Sequence, residues 1–393
     1  MQILIALNWL MAAVLGLRAI DAWRGMASIE DITQDCEALA SASGADEITV
    51  VVPARNEEAA IEASLRSLLA STGVRLRIIA VNDRSTDATG ACMDRVAAET
   101  QVCGGPHSLS VIHVQKLPAG WLGKPHAMAM AARQATSPWI LFTDGDVLFD
   151  KRALALALRA AKRLDADHLV LIPSLILETT GEAAMLAAMN FMGQWMVRLW
   201  KVQDRRARDF IGVGGFNLVR REVYERLGGF EALKMEILDD VRFGWLVKRA
   251  GLKQRVVVGP GLVRIRWLQG AWGVVRLAEK NGFAAFRFRT GQALLACLGT
   301  AALALLPLAA MAAGGWALAA TLLSYAAIAI TYWANRKVTQ TPAWLAVLFA
   351  PATLVLLYAL LRSTVLALVR KGVDWRGTRY SLAELRRNAG RGW

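Results

Sequence analysis

The stretch Trp139-Ile-Leu-Phe-Thr-Asp-Gly-Asp-Val-Leu148 decides the fold of this chain. Residues 139–142 are apolar and predict a buried β-strand, and two carboxylates, Asp144 and Asp146, follow with one glycine between them. Side chains two residues apart on an extended segment point the same way, so both carboxylates should leave the strand end together, and Gly145 should let another group approach closely. Such a pair suits a hard divalent cation, which prefers oxygen ligands. The alternative is an Asp-Gly-Asp turn that only caps the next helix.

On both sides of this stretch, predicted strands alternate with predicted helices. The strands cover 48–52, 76–81, 110–114, 139–142 and 169–172, and the helices between and after them cover 57–69, 87–98, 125–135 and 153–164. This rhythm is typical of a mainly parallel α/β sheet with helices on both faces, which binds ligands outside the carboxyl ends of its strands. The first turn reads Pro53-Ala-Arg-Asn-Glu57 and lacks a Gly-x-Gly-x-x-Gly pattern, which disfavours dinucleotide binding.

The composition indicates a folded domain between membrane segments. The chain has 393 residues, is 55% hydrophobic and has a mean hydropathy of +0.36, with the apolar excess at its ends. The net charge of +14 is typical of cytoplasmic flanks that contact anionic lipid head groups, and no motif supports a nucleic-acid partner. Four scattered cysteines predict neither a zinc site nor a disulfide framework. His107, His113 and His168 are expected to lie in loops or strands without partners.

Six segments follow from this pattern. They are an N-terminal transmembrane anchor (1–24), a linker (25–46), an α/β domain (47–266), an interfacial helix (267–290), a membrane region of about three spans (291–369) and a basic tail (370–393). Arg18 and Arg24 follow the first apolar segment, so we expect an uncleaved anchor in the inner cell membrane with the α/β domain in the cytoplasm.

Two arguments disagree about the side of the tail. Three spans after a cytoplasmic domain put the tail outside, whereas its many basic residues put it inside by the positive-inside rule. A hairpin or re-entrant bend at Pro351 would reconcile the two. We favour a cytoplasmic tail.

Four segments in this order resemble the motifs of inverting family-2 glycosyltransferases. They are Val51-Val-Pro-Ala-Arg-Asn-Glu-Glu58, Val81-Asn-Asp-Arg-Ser-Thr-Asp87, Thr143-Asp-Gly-Asp146 and Asp239-Asp240. Each motif is weak alone, but four in order form a specific signal. Gly120-Trp-Leu-Gly-Lys124, Lys280-Asn281 and Trp375-Arg-Gly-Thr-Arg-Tyr380 further resemble the membrane-bound branch that includes ceramide glucosyltransferases and the hopanoid- and carotenoid-associated glycosyltransferases. The resemblance implies a GT-A-type nucleotide-sugar-binding domain.

The resemblance also implies a donor site. Asp83 would accept a hydrogen bond from the base of a uridine nucleotide, or it could merely stabilise a turn or cap a helix. Pro53, Arg55 and Glu57 would line the same pocket, although Glu57 could instead start a helix. Lys124 would approach the diphosphate, where a cation offsets charge, or it could be a solvated surface lysine.

The chemistry implied by the resemblance uses four carboxylates. Asp144, which also contacts the donor, and Asp146 would place Mg²⁺ or Mn²⁺ on the diphosphate, where the metal stabilises the leaving group. Asp240 would be the base that takes the proton of the acceptor hydroxyl. Asp239 stands where the family usually has glutamate, and two adjacent carboxylates should raise one pKa. The alternative for Asp239 is a helix N-cap.

The expected function is inverting transfer of a sugar from a nucleotide sugar, by the resemblance a UDP-sugar, to a hydroxyl of a membrane lipid. A processive polysaccharide synthase is an alternative, but the segment Trp267-Leu-Gln-Gly-Ala-Trp-Gly-Val-Val-Arg276 departs from the Gln-x-x-Arg-Trp motif of those enzymes. A non-catalytic membrane scaffold is the third hypothesis, and it predicts the loss of a key carboxylate, none of which is missing.

Overall fold

A computed structural model describes residues 1–34, 46–267, 269–375 and 378–388. Half of the predicted linker (35–45) and two residues of the Trp375–Tyr380 motif lie outside these ranges. The chain divides into two compact units. The sheet unit comprises 29–176 and 201–266, and the helical unit comprises 1–28, 177–200 and the chain from Trp267 onward.

Helices occur in both units. In chain order they are α1 (Gln2–Ala27), α2 (Ile61–Leu69), α3 (Thr89–Cys103), α4 (Gly123–Ala132), α5 (Ala153–Arg163), α6 (Thr180–Gly193), α7 (Arg221–Arg226), α8 (Asp239–Arg249), α9 (Gly273–Ala285), α10 (Thr290–Met311), α11 (Gly315–Ala334), α12 (Arg336–Thr339), α13 (Phe349–Val369) and α14 (Leu382–Asn388). Short 3₁₀ turns cover Leu199–Lys201, Gly229–Leu233 and Ala343–Leu348.

Strands build two sheets in the sheet unit and a hairpin in the helical unit. In chain order they are β1 (Glu47–Ala54), β2 (Arg75–Asp83), β3 (Ser108–Val114), β4 (Trp139–Phe142), β5 (Val147–Phe149), β6 (His168–Ile172), β7 (Ser174–Leu175), β8 (Asn217–Arg220), β9 (Gln254–Val258), β10 (Val263–Ile265), β11 (Gly372–Trp375) and β12 (Thr378–Ser381).

The main sheet has seven strands in the order β3-β2-β1-β4-β8-β6-β9. It is mostly parallel, as predicted, but β8 is inserted antiparallel between β4 and β6. A smaller sheet has the order β5-β10-β7. Because β1, β2 and β4 run parallel and side by side, their carboxyl ends meet at one edge. The residues that follow these strands are thereby brought together.

Both faces of the main sheet are covered, which explains the uninterrupted apolar runs of its strands. Val50 and Val51 are both fully buried, but they belong to hydrophobic clusters on opposite faces. One cluster contains Leu65 of α2 and Leu158 of α5, and the other contains Phe243 of α8. The strand ends are thus held between two packed layers.

Among the described residues, the helical unit contains four helical segments long and apolar enough to cross a membrane: Gln2–Ala27, Thr290–Met311, Gly315–Ala334 and Ala343–Val369. In α1, the buried Asn8 side chain donates hydrogen bonds to Ala317 O and Thr321 Oγ1 of α11, both at 3.0 Å. The N-terminal halves of α1 and α11 therefore lie side by side.

Three local features distinguish this unit. Helix α6 ends at Gly193 with half of its residues buried, while Trp195 and Met196 after it are exposed. The predicted 267–290 helix is shorter, Gly273–Ala285. Pro351 forms no hairpin, because α13 is continuous from Phe349 to Val369 and its first turn tolerates a proline.

Candidate active site

Asp83 ends β2 and is fully buried. Arg84, the next residue, donates from Nε to Asp83 Oδ1 at 2.8 Å and from Nη2 to Asp83 Oδ2 at 3.3 Å. Gly123, the first residue of α4, lies against this pair, and a Cβ atom there would overlap both the carboxylate and the guanidinium. Asp83 is therefore more than a turn residue: it is a buried carboxylate held by a bidentate arginine under a glycine.

Lys124 follows Gly123 and reaches the other carboxylates of the site. Its Nζ lies 2.6 Å from Asp144 Oδ1 and 3.7 Å from Asp239 Oδ2, and its side chain is only 11% exposed. Burial by itself lowers the pKa of Lys124, but the charges of Asp144, Asp239 and Asp240 outweigh burial, so the pKa stands well above its usual value. The ammonium is therefore charged at physiological pH, and the solvated surface lysine is excluded.

Asp144 and Asp146 lie in the turn between β4 and β5 rather than at a helix N-terminus. Thr143 anchors this turn, since its hydroxyl donates to Gly215 O at 2.9 Å. The group that approaches Gly145 closely is Ala54 at the end of β1, because a Cβ atom at Gly145 would be 3.0 Å from Ala54 Cβ. The glycine thus fits the carboxylate turn against the neighbouring strand.

The charges around Asp146 suit a cation. Burial first, and then the charges of Asp144 and Glu57, raise the pKa of Asp146 to about 7, although the charge of Lys124 acts in the opposite direction. Within the described ranges, no three His, Cys, Asp or Glu side chains gather into a complete metal cage. Two carboxylates nevertheless fit a cation that takes its other oxygens from a phosphate-bearing ligand, as Mg²⁺ commonly does.

Asp239 and Asp240 begin α8, with Asp239 buried and Asp240 half-buried. Leu238 occupies the N-cap position, so Asp239 is not the cap. The glycine-rich loop between the 3₁₀ turn at 199–201 and β8 packs directly on this helix. A Cβ atom at Gly212 would overlap Asp240 O, and one at Gly244 would overlap Ile211 O. Backbone contact therefore fixes the start of α8 where Asp240 emerges.

A buried network of polar side chains also hydrogen-bonds to the backbone of the glycine-rich loop. Gln254 Nε2 donates to Ile211 O at 2.9 Å and to His168 Nδ1 at 2.9 Å, while His168 Nε2 donates to Asn217 Oδ1 at 3.1 Å. Asn217 Nδ2 donates in turn to Val213 O at 2.7 Å. Burial lowers the pKa of His168 to about 4, which keeps it neutral so that Nδ1 can accept.

The prediction that three histidines lack partners is therefore wrong. His168 lies in the network just described, because β6 and β9 pair across it. His107 Nδ1 accepts from Leu76 N at 3.1 Å, and His113 lies 3.0 Å from Asp94 Oδ1. These pairings join residues far apart in the chain, which sequence spacing does not show.

The segment after β1 contributes the other predicted donor residues. Pro53 is buried in β1 beside Val81, and Arg55 and Glu57 are half-buried in the loop that follows. Glu57 does not start a helix, since α2 begins at Ile61, and its N–H donates to Thr89 Oγ1 at 2.8 Å. Its carboxylate is close enough to Asp146 to raise the pKa there, so this loop borders the acidic cluster.

The structure thus gathers Lys124, Asp144, Asp146, Asp239 and Asp240 into one electrostatic cluster, with Glu57 at its edge. Asp83 lies beside it through the adjacent residues Gly123 and Lys124. Sequence reasoning missed Arg84, Gly123, Gly212 and the network of His168, Asn217 and Gln254. Of these, Arg84 and Gly123 left a signal, because they stand inside the quoted motifs, whereas Gly212 lies outside them.

We expect Gly123→Ala to weaken nucleotide binding by roughly tenfold or more, because the new methyl group must displace the buried Asp83–Arg84 pair. Binding of nucleoside diphosphates, followed by calorimetry, measures the loss. Gly193→Ala is the matched control, since nothing lies within 4 Å of its Cβ position. Unchanged affinity in Gly123→Ala would remove Asp83 from the nucleotide site.

Part of the chain matches a known protein family. Residues 49–228 match the sequence model of "Glycosyl transferase family 2". Two 4,4'-diaponeurosporenoate glycosyltransferases of Staphylococcus aureus are similar to this chain: that of strain MRSA252 is 26% identical over 223 residues and that of strain USA300 is 25% identical over 224 residues. Each match covers 56% of this chain, and the chain spans only 56% of the length of each relative.

A solved structure shares the fold. It is the mannosyltransferase PcManGT from Pyrobaculum calidifontis, solved in complex with GDP-Man and Mn²⁺, with a TM-score of 0.51 and 21% sequence identity. The alignment covers 94% of this chain and 99% of that one. This likeness confirms the predicted GT-A-like α/β fold, and four helical segments of the described residues are long and apolar enough to cross a membrane.

Proposed function

Because residues 49–228 match the family-2 glycosyltransferase model, we propose that the chain transfers a sugar from a nucleotide sugar to a membrane lipid. The observation that carries this proposal is the Lys124 ammonium, which bridges Asp144 after β4 and Asp239 at the start of α8. The buried Lys124 ammonium thus joins the proposed diphosphate side of the site to the proposed base side.

The donor is proposed to bind along the strand ends. Asp83, with Pro53, Arg55 and Glu57 at its border, takes the base, and Lys124 and Asp144 take the diphosphate. The sequence motifs favour a UDP-sugar, whereas the mannosyltransferase of similar fold was solved with GDP-Man. Both nucleotide classes therefore belong in any donor test.

A divalent cation, Mg²⁺ or Mn²⁺, is proposed as the cofactor, held by Asp144 and Asp146. When bound, it would neutralise charge on the leaving diphosphate. The negative charges of Asp144 and Glu57 beside Asp146 support this assignment, and the similar mannosyltransferase was solved with Mn²⁺.

Asp240 is the proposed base. It would accept the proton of the acceptor hydroxyl as that oxygen attacks the anomeric carbon from the face opposite the diphosphate, which inverts the configuration. Lys124 stabilises negative charge on the diphosphate side of the same step. Asp239, in contact with Lys124, keeps the ammonium between the two halves of the site.

The acceptor is proposed to be a lipid with a hydroxyl group. The helical unit supports this class, since it has four segments long and apolar enough to reach lipid. The curated relatives are named for a carotenoid carboxylate, diaponeurosporenoate. A carboxylate acceptor would already be deprotonated and would need no base, so lipid alcohols and lipid acids form separate arms of an acceptor panel.

The direct test is release of nucleoside diphosphate by the detergent-purified chain. UDP- and GDP-sugars are supplied with MnCl₂ or EDTA, with and without a total membrane lipid extract. We expect release from one donor, stimulated by lipid and abolished by EDTA. Tight nucleotide binding without release under any condition would support the scaffold hypothesis and contradict the transferase.

The tail is proposed to lie on the side from which the chain enters α10, which we take as the cytoplasm. Arg386 Nε donates to Phe288 O, just before α10, at 3.1 Å. Lys280 of α9 lies over the Trp375 ring at 4.7 Å. With 13 residues, α9 is too short to cross a bilayer of about 30 Å.

The start of α13 lies on the same side. Phe349, its first residue, packs edge-to-face against Phe191 with the ring centroids 5.0 Å apart. Phe191 also makes an edge-to-face contact with Tyr332 near the end of α11, at 6.4 Å. Because α10 leaves this side and α11 returns to it, both ends of α13 are proposed to lie near one membrane face, with this continuous 21-residue helix running along that face. This arrangement supports a basic tail among anionic head groups without a fourth crossing.

A C-terminal reporter tests this topology. Fused after residue 393, green fluorescent protein should fluoresce in intact cells, whereas alkaline phosphatase at the same place should stay inactive. The matched control is a fusion in the turn after α10, at Gly314, truncated there, where phosphatase should be active. An active phosphatase at the C-terminus would contradict the proposed side.

A further inference from the structure

Resting on the proposed function, we propose that Lys124 makes metal capture depend on the donor: its ammonium, paired with Asp144, occupies the charge position that a divalent cation needs. The ammonium lies 2.6 Å from Asp144 Oδ1, a carboxylate assigned to the metal. It is also part of the electrostatic environment of Asp146, the other assigned ligand. Both proposed metal ligands thus already feel a resident positive charge.

The ammonium has little freedom to leave. Its side chain is 11% exposed, and the glycine loop covers it, since a Cβ atom at Gly214 would lie 3.3 Å from Lys124 Nζ. Asp239 at 3.7 Å holds it from the α8 side. A buried ammonium fixed among carboxylates repels a second cation more strongly than a solvated lysine would, because water does not screen the pair.

The donor removes this obstacle. A diphosphate brings anionic oxygens that accept hydrogen bonds from the ammonium and at the same time offer ligands to the metal. The cation then joins a site whose total charge has become more negative. Metal affinity should accordingly be weak in the free enzyme and strong in the presence of nucleoside diphosphate.

Mn²⁺ binding to the full chain in detergent tests this inference without any turnover. Electron paramagnetic resonance of free Mn²⁺, with MnCl₂ alone, gives the affinity of the wild type, Lys124→Met and Lys124→Arg. We expect Lys124→Met to bind Mn²⁺ roughly tenfold or more tightly than the wild type, because one repelling charge at close range is gone. Lys124→Arg, which keeps the charge, should behave as the wild type does.

A second variant tests whether the additional Mn²⁺ binds at the proposed metal site. Adding Asp146→Asn to Lys124→Met should abolish the extra Mn²⁺ binding. Equal or weaker Mn²⁺ binding in a Lys124→Met protein with a wild-type melting profile would overturn the inference; if that protein fails to fold, Lys124→Gln replaces it in the same comparison. The binding measurement contains no sugar nucleotide or lipid, so a gain of Mn²⁺ affinity in Lys124→Met would support the inference even if no donor supported transfer. Active transfer by the wild type without such a gain in Lys124→Met would contradict the inference about Lys124 and leave the proposed function intact.

Discussion

Asp240→Asn should lower the rate of sugar transfer to a lipid alcohol by about 10³-fold, within the range that a positioned general base contributes. The substitution keeps the size of the side chain and removes its ability to take a proton. Because Asp240 belongs to α8 and Asp83 ends β2, nucleotide affinity should change little. Steady-state transfer and nucleotide titration together measure the two effects.

Two matched variants control this prediction. Asp165→Asn alters a carboxylate whose side chain is 65% exposed and which pairs with Lys253, so it should leave transfer unchanged. Asp239→Asn removes a neighbour of Lys124 and should affect diphosphate binding as well as rate. Near-normal transfer to an alcohol by Asp240→Asn would show that another group is the base.

Asp146→Asn should lower transfer by about 10²-fold or more at limiting Mn²⁺, because it removes one of the two carboxylates assigned to the cation. Part of the activity should return as Mn²⁺ is raised, since Asp144 remains. Activity as a function of Mn²⁺ concentration measures the shift.

The same exposed control, Asp165→Asn, separates a loss of metal from a general loss of negative charge. An Asp146→Asn enzyme with the Mn²⁺ dependence of the wild type would remove this carboxylate from the metal site. A lower rate that no Mn²⁺ concentration relieves would instead assign Asp146 a structural role in the turn after β4.

The parts of the fold that sequence predicts are those encoded locally. The β4 strand and the Asp144–Asp146 turn follow from an apolar run that ends in two carboxylates. The alternation of strands and helices predicts parallel neighbours, and β1, β2 and β4 are parallel. The insertion of β8 between β4 and β6 is not local, because strand order depends on pairing between distant segments.

The residues of the candidate site could likewise be predicted only in part. Motif residues such as Asp83 and Lys124 were identified, but their partners were not all evident. In the sequence, Arg84 beside Asp83 resembles an ordinary charged turn residue. Only in the folded structure does Gly123 lie against the Asp83–Arg84 pair. The network of His168 and Gln254 joins two strands that pair only in the folded sheet, so no spacing in the chain reveals it.

Transfer of radiolabel from a nucleotide sugar into lipid tests the central claim most directly. The purified chain is incubated with the donor that releases nucleoside diphosphate, Mn²⁺ and membrane lipid, and the organic extract is separated by chromatography. We predict one labelled lipid product, absent with EDTA and in Asp240→Asn. A ladder of labelled products would indicate a polysaccharide synthase, and label recovered only as free sugar in water would contradict a lipid acceptor.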